Sequence, residues 1–309
     1  MTDQKDFRVF TPNTTQHDLY KEMYKHQTYD YVEQKLTQYN KFNHGKFTVQ
    51  QVLSMMNSFV DPSDPDLLAI PNSVHAYQTA ERIRKAYPKN YEMQICGLIH
   101  DLGKILYHFG EPGYNIVGDT YVVGCQFAKS IVYYDDLINL NSDYDHVVYG
   151  TPNGIYKPGC GIENLTLSFG HDEYLYQVLC HNKSHMMTNK YMNVIRFHSF
   201  YPWHTGGDYR QFMKPSDNII LQDVLEFNQY DLYSKGDDQL LVSELNKTIL
   251  ANEMSASNIE LDEATCKAIY SHSEYEQSAT KLSEMKQNCE ILLYYNDLLD
   301  LYFPEPLKW

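Results

Sequence analysis

Two adjacent residues, His100 and Asp101, have side chains whose chemistry the rest of the chain must complete. They lie inside YEMQICGLIHDLGKIL, where Ile95, Leu98, Ile99, Leu102, Ile105 and Leu106 recur at helical spacing. This predicts a buried helix with His100, Asp101 and Lys104 in one turn, with His100 and Lys104, four apart, on a shared face. Ionisable groups on an apolar helix cost free energy unless they are paired or bind metal. An imidazole beside a carboxylate suits a first-row metal. A hydrogen-bonded His–Asp pair in a core would leave the same trace, so partners elsewhere must decide.

His75 lies in SVHAYQTAERIRKAYP, in the first turn of a helix that Asn72 or Ser73 can cap. The stretch before it, DPSDPDLLAIPNS, is a Pro- and Asp-rich loop. The helix after it carries His100, and antiparallel neighbours would bring the two histidines together. His171, in FGHDEY, opens a further apolar helix, and His198 sits in another, YMNVIRFHSFYPWHTG, with His204 past its end. In LQDVLEFNQYDLYSK, Asp231 and Lys235 are four apart on one face, a spacing that usually marks a surface ion pair. His75, His100, Asp101, His171, His198 and Asp231 are enough for two metals with one carboxylate bridging. A His-and-carboxylate set without Cys departs from structural zinc and suits catalytic iron, manganese or zinc. Lys104 could place a cation against a substrate oxygen and ease its deprotonation. The residues alone do not choose between hydrolysis and oxidation.

The elements that must hold these groups are helical. A single amphipathic helix is expected through TTQHDLYKEMYKHQTYDYVEQKLTQYN, with Leu19, Met23, Tyr29, Val32 and Leu36 on one face, and a second around FTVQQVLSMMNSFV. FGEPGYNIVGDTYVVGC reads as a loop with a short hairpin and a tight turn at Gly118-Asp119, and residues 135–165 are irregular. Residues 236–290 change character: they are rich in Ser, Asn, Gln and Glu, with no arginine, though LDEATCKAIY and KLSEMKQNCEILL look helical. The chain closes on LLYYNDLLDLYFPEPLKW, a helix with an aromatic tail. A net charge of −15 over 309 residues argues against a nucleic-acid partner. No run of eighteen apolar residues predicts a membrane span, and the polar N-terminus lacks the apolar core of a signal peptide. Six scattered cysteines with no C-x-x-C fit free thiols in a reducing cytoplasm.

The order His, His-Asp, His, Asp on successive helices resembles the HD-domain superfamily. PNSVHAYQTAERIRKAYP, GLIHDLGKIL, FGEPGYNIVGDTYVVGC, SFGHDEYLYQV, IRFHSFYPWHTGGDY, EFNQYDLYSK and YYNDLLDLYFPEPLKW narrow this to a resemblance to the myo-inositol oxygenases. The resemblance implies an all-α HD-domain helical bundle, one domain over residues 1–309, around a buried di-metal site. It implies two iron ions, mixed-valent Fe(II)/Fe(III), held by His75, His100, Asp101, His171, His198 and Asp231 with Asp101 bridging. The implied reaction is the O₂-dependent, four-electron ring opening of myo-inositol to D-glucuronate, the first step of inositol catabolism. Lys104 and Asp101 carry over as catalytic residues, and Arg8, Asp61, Ser63, Lys104, Gly118, Asp119, His198, Ser199 and Lys235 as substrate contacts. A polyol rich in donors and acceptors fits this mix of acids and cations. Residues 1–16 would form a lid segment carrying Arg8, and the enzyme would be a cytoplasmic monomer acting on a small cyclitol. Two features depart from the family: Pro62 stands where an acidic residue is usual, and residues 236–290 read as an insertion. A di-metal phosphohydrolase on the same fold, an oxygenase of a related cyclitol, and a non-catalytic inositol-binding scaffold are the alternatives.

Overall fold

Helices that are apolar on the inside and broken at polar residues frame the centre. The computed structural model describes residues 10–63, 71–233 and 279–309. Arg8, Lys235, most of the acidic loop before His75 and most of the 236–290 segment lie outside the described residues.

The expected first helix is two helices, α1 (Thr15–His26) and α2 (Tyr29–Tyr39). The break at Gln27 has a clear cause. Its buried side chain donates to the carbonyls of Tyr114 and Phe169 and to Asn115 Oδ1, and accepts from the Phe169 N–H. That bonding ties the chain to the loop before His171. Thr28 then caps α2 by accepting from the Tyr31 N–H. Helix α3 (Val49–Met55) starts with a capping box between Thr48 and Gln51.

Helices α4 (Asn72–Ala86) and α5 (Tyr91–Ile99) pack closely as antiparallel neighbours, as expected. Small residues permit the approach: a Cβ on Gly97 would lie 3.2 Å from Ala80 Cα and 2.7 Å from Ile83 Cδ1. The expected continuous helix through His100 and Asp101 is not continuous. Helix α5 ends at Ile99, and a 3-10 helix runs from Leu102 to Phe109, so His100 and Asp101 form the joint. The short α6 (Tyr134–Leu137) lies in the irregular stretch before α7 (His171–His181). Helices α8 (Asn189–Phe197), α9 (Tyr201–His204) and α10 (Asp217–Tyr233) follow. No hairpin forms within 109–125; Val122 instead makes an antiparallel bridge to Leu167, because the partner strand lies beside the chain entering α7.

The C-terminal α11 (Ala279–Tyr302) packs on α5 and α3. Beyond it, β2 (Leu307–Lys308) pairs antiparallel with β1 (Lys46–Phe47), and fully buried Trp309 closes the chain onto His44 and Gly45. Among the described residues the buried apolar side chains form one connected cluster. No helix among them is long and apolar enough to cross a membrane.

Candidate metal centre

Four of the six candidate ligands stand at or near helix ends, where the backbone turns a side chain inward. His75 is in the first turn of α4, His100 follows α5, His171 opens α7, and His198 follows α8. Asp231 projects from α10. Asp101 precedes the 3-10 helix with φ −96° and ψ 0°. Gly103 lets α7 reach this joint: a Cβ there would fall 2.9 Å from His171 Cα and 2.6 Å from its carbonyl carbon, with the carbonyl oxygen closer still.

All six residues are buried, none more than 6% exposed. Asp101 stands between two groups. Its Oδ2 lies 4.0 Å from His75 Nε2 and 3.6 Å from His100 Nε2; those two nitrogens are 2.8 and 3.4 Å from Asp231 Oδ1. Its Oδ1 lies 3.2 Å from His171 Nε2 and 3.7 Å from His198 Nε2. His75, His100 and Asp101 form one group that could hold a metal ion, and Asp101, His171 and His198 a second.

The donor set fits two such ions. His100, His171 and His198 each bond through Nδ1 to a backbone carbonyl, of Gly97, Ile116 and Ile195, at 2.7–2.8 Å. A carbonyl only accepts, so each Nδ1 carries a proton and Nε2 is the nitrogen that each ring turns toward the centre. His171 Nε2 and His198 Nε2 then face each other at 3.2 Å. A cation shared between them, a proton or a metal ion, would hold both nitrogens. The acids are prepared as well. Burial would raise Asp101 and Asp231, but Lys104 and His100 around the first, and His100 and His75 around the second, outweigh it and hold both well below the usual carboxylate range. They are therefore ionised, the form that ligates metal.

Lys104 reaches Asp101 and not His100: its Nζ lies 2.8 Å from Asp101 Oδ2 and 2.7 Å from Asp61 Oδ2. Burial alone would lower its pKa, yet the two carboxylates more than reverse that and keep it protonated. Asp61 Oδ1 accepts from both the N–H and the hydroxyl of Ser63, so both residues stand with Lys104 on the Oδ2 side. Ser199 Oγ lies 3.4 Å from His171 Nε2, and its carbonyl accepts from the Thr120 N–H, which brings the Gly118-Asp119 turn to the other side. Gly118 has φ +99°, and a Cβ would press on Met23 Cε at 2.8 Å, so glycine is required.

Several residues around the centre escape sequence reading. Asn72, read as a cap, donates from Nδ2 to Asp101 Oδ2 at 2.9 Å, while α4 starts without a side-chain cap. The Tyr20 hydroxyl is 3.1 Å from Asp119 Oδ1 and accepts from the Asp119 N–H. Thr120 donates to Asp172 Oδ2 at 2.6 Å. His204 lies past the end of α8, as expected, and closes the separate short helix α9; its Nε2 is 3.0 Å from the His198 carbonyl, which Asn228 also reaches. Tyr20 leaves no trace in the sequence, and that of the others is only that each stands near a candidate ligand or turn.

A family model described as myo-inositol oxygenase matches residues 13–252, running past Lys235 into the segment read as an insertion. Inositol oxygenase of Mus musculus is 48% identical over 231 residues, 75% of this chain and 78% of that protein. The Homo sapiens inositol oxygenase is 46% identical over the same shares. Inositol oxygenase 1 of Arabidopsis thaliana is 40% identical over 228 residues, 73% of this chain and 72% of that one.

Proposed function

The chain belongs to the myo-inositol oxygenase family, and on that premise we propose that it opens the ring of myo-inositol with O₂ to give D-glucuronate, using two iron ions. The reaction balances as myo-inositol plus O₂ to glucuronate, water and a proton. The C1–C6 bond breaks, one oxygen atom enters the product and the other leaves as water. What supports this reading is the division of Asp101, one carboxylate oxygen toward each pair of histidines. His75, His100, Asp231 and Asp101 Oδ2 would hold one iron, and His171, His198 and Asp101 Oδ1 the other. The metal pair supplies the redox capacity and Lewis acidity that these side chains lack.

The protein's own groups bind and orient. Lys104, held protonated, donates N–H to a substrate oxygen and favours loss of the hydroxyl proton there. Asp61 and Asp119 accept from hydroxyls, and Ser63 and Ser199 do both. Gly118 takes the left-handed turn that would strain any side chain, so that its backbone can meet a hydroxyl. Arg8 and Lys235 complete the polyol contacts in this reading. Burial of every candidate ligand keeps bulk water from an oxidising centre. A phosphate ester is the poorer substrate, because Asp61 and Asp101 already neutralise the Lys104 cation. The same reading places the enzyme in the cytoplasm as a single-domain monomer, consistent with the free thiols of Cys96, Cys125, Cys160 and Cys180.

The test mixes anaerobic, iron-loaded protein with myo-inositol and O₂, follows glucuronate and counts iron per chain. Glucuronate formed by protein with paired iron is the expected result. Loaded protein that yields none from myo-inositol refutes the proposal.

A further inference from the structure

Asn72 is the first residue of α4 and is 1% exposed. Its backbone N–H donates to the Phe59 carbonyl at 2.9 Å, a bond that any residue but proline could make. Its side chain does not cap the helix; Nδ2 donates to Asp101 Oδ2 at 2.9 Å. The carboxylate can only accept, so the amide orientation is settled by its partner. At the other end of the amide, Oδ1 is buried and has no hydrogen-bond partner among the described residues. A buried carbonyl left unbonded costs about 1–3 kcal/mol. A residue kept in that state for its one remaining bond points to the group at the far end of that bond.

Asp101 Oδ2 has two lone pairs and two close donors, Asn72 and the Lys104 ammonium. Ligation of a metal through Oδ2 needs one of those lone pairs. Lys104 can yield it, because Asp61 Oδ2 lies 2.7 Å from the same Nζ. The Asn72 amide has Asp101 as its one side-chain partner among the described residues. The torsion that turns a carboxylate about its own axis is soft and has no sharp preference, so something outside Asp101 must set its plane.

We infer that Asn72 is a positioning residue for the bridging carboxylate. It keeps Asp101 turned with Oδ2 toward His75, His100 and Asp231 and Oδ1 toward His171 and His198. It stays on Oδ2 when Lys104 gives way to metal. Lys104 is thus the exchangeable partner of Asp101, released toward Asp61 and substrate, and Asn72 the permanent one. This inference rests on the two-iron reading of the centre.

The experiment compares the full-length chain with its Asn72→Leu variant, similar in size but without the donor. Metal-free protein is titrated anaerobically with Fe(II), iron per chain is counted, and Mössbauer spectroscopy of the oxidised samples measures the spin-coupled fraction. Thermal unfolding of both metal-free proteins is run alongside. The variant should bind iron about 10–100-fold more weakly, the usual effect of removing a group that orients a ligand. Its coupled fraction should fall at equal free iron, while its metal-free Tm stays at or above that of the parent. Equal iron affinity and equal coupling overturn the inference, as does a loss confined to the metal-free Tm. A parent chain that never binds paired iron overturns the two-iron reading itself, a result distinct from failure of the Asn72 role. If the Leu variant does not fold, Asn72→Ala carries the same comparison.

Discussion

Replacing Gly103 with alanine adds one methyl group at the tightest point of the centre. The new Cβ would sit 2.6 Å from the His171 carbonyl carbon and 2.9 Å from His171 Cα. Carbon atoms in good contact are about 3.5–4.0 Å apart, so the 3-10 helix and the start of α7 must separate by roughly 1 Å. Both neighbours are backbone, so no side-chain rotation can relieve the clash. Metal sites tolerate deviations of only about 0.2 Å in ligand distance. Asp101 and His171 lie on opposite sides of this contact, with Oδ1 and Nε2 3.2 Å apart, so the added separation falls on a pair proposed to share a metal. Alanine also favours helix over glycine by about 0.5–1 kcal/mol. The overpacking term, about 1–3 kcal/mol, opposes that gain and exceeds it here because the obstacle is backbone. The variant is therefore expected to be less stable in urea and, on the proposed two-iron reading, to lose the ion assigned to His171 and His198 while keeping the other. Unfolding midpoints and iron counts after anaerobic loading measure both effects. Parent-like stability together with a full iron complement would show that the contact at Gly103 does not position His171.

Asp101→Ala should abolish paired iron, with binding weakened by at least about 100-fold; an unchanged iron content measured by metal analysis would count against bridging. Lys104→Ala should leave the iron in place and cut turnover by about 10²–10⁴-fold, so a normal rate of glucuronate formation removes Lys104 from the mechanism. A third expectation concerns acid stability. Glu111 accepts from Lys35 at 2.7 and 2.9 Å, from the Tyr39 hydroxyl at 2.7 Å and from Asn115 at 2.6 Å. Burial alone would raise its pKa, but these donors prevail and hold it below 4.5. A carboxylate depressed in the folded state contributes stability that is complete above its unfolded pKa and lost as pH falls through the folded one. The parent should therefore lose stability more steeply than Glu111→Gln below about pH 4.5, read from urea midpoints across a pH series; parallel curves refute it.

The all-α architecture and the ligand candidates were legible in the sequence because both rest on short-range patterns. Apolar residues at helical spacing around His75, His100, His171 and His198 mark segments whose polar members need a reason to be there. What spacing could not show is where a helix stops. Ile95 through Leu106 keep the helical rhythm across His100 and Asp101, yet the backbone breaks there and resumes as a 3-10 helix. The periods are close enough that apolar spacing does not separate them over two turns. Gln27 shows the same limit: α1 ends where its side chain finds four bonds in segments far along the chain, and no local propensity records that.

The sequence by itself determined which residue types could meet a metal and that helices would present them, since composition and periodicity are properties of neighbours in the chain. Only the tertiary structure decided the pairing: Asp101 between two histidine pairs, Lys104 between Asp101 and Asp61, and Asn72 on the Asp101 carboxylate rather than on its own helix end. Contacts at this centre join residues separated by up to 156 positions, as between His75 and Asp231. They are chosen by the buried balance of donors, acceptors and charge, which exists only once the helices have packed.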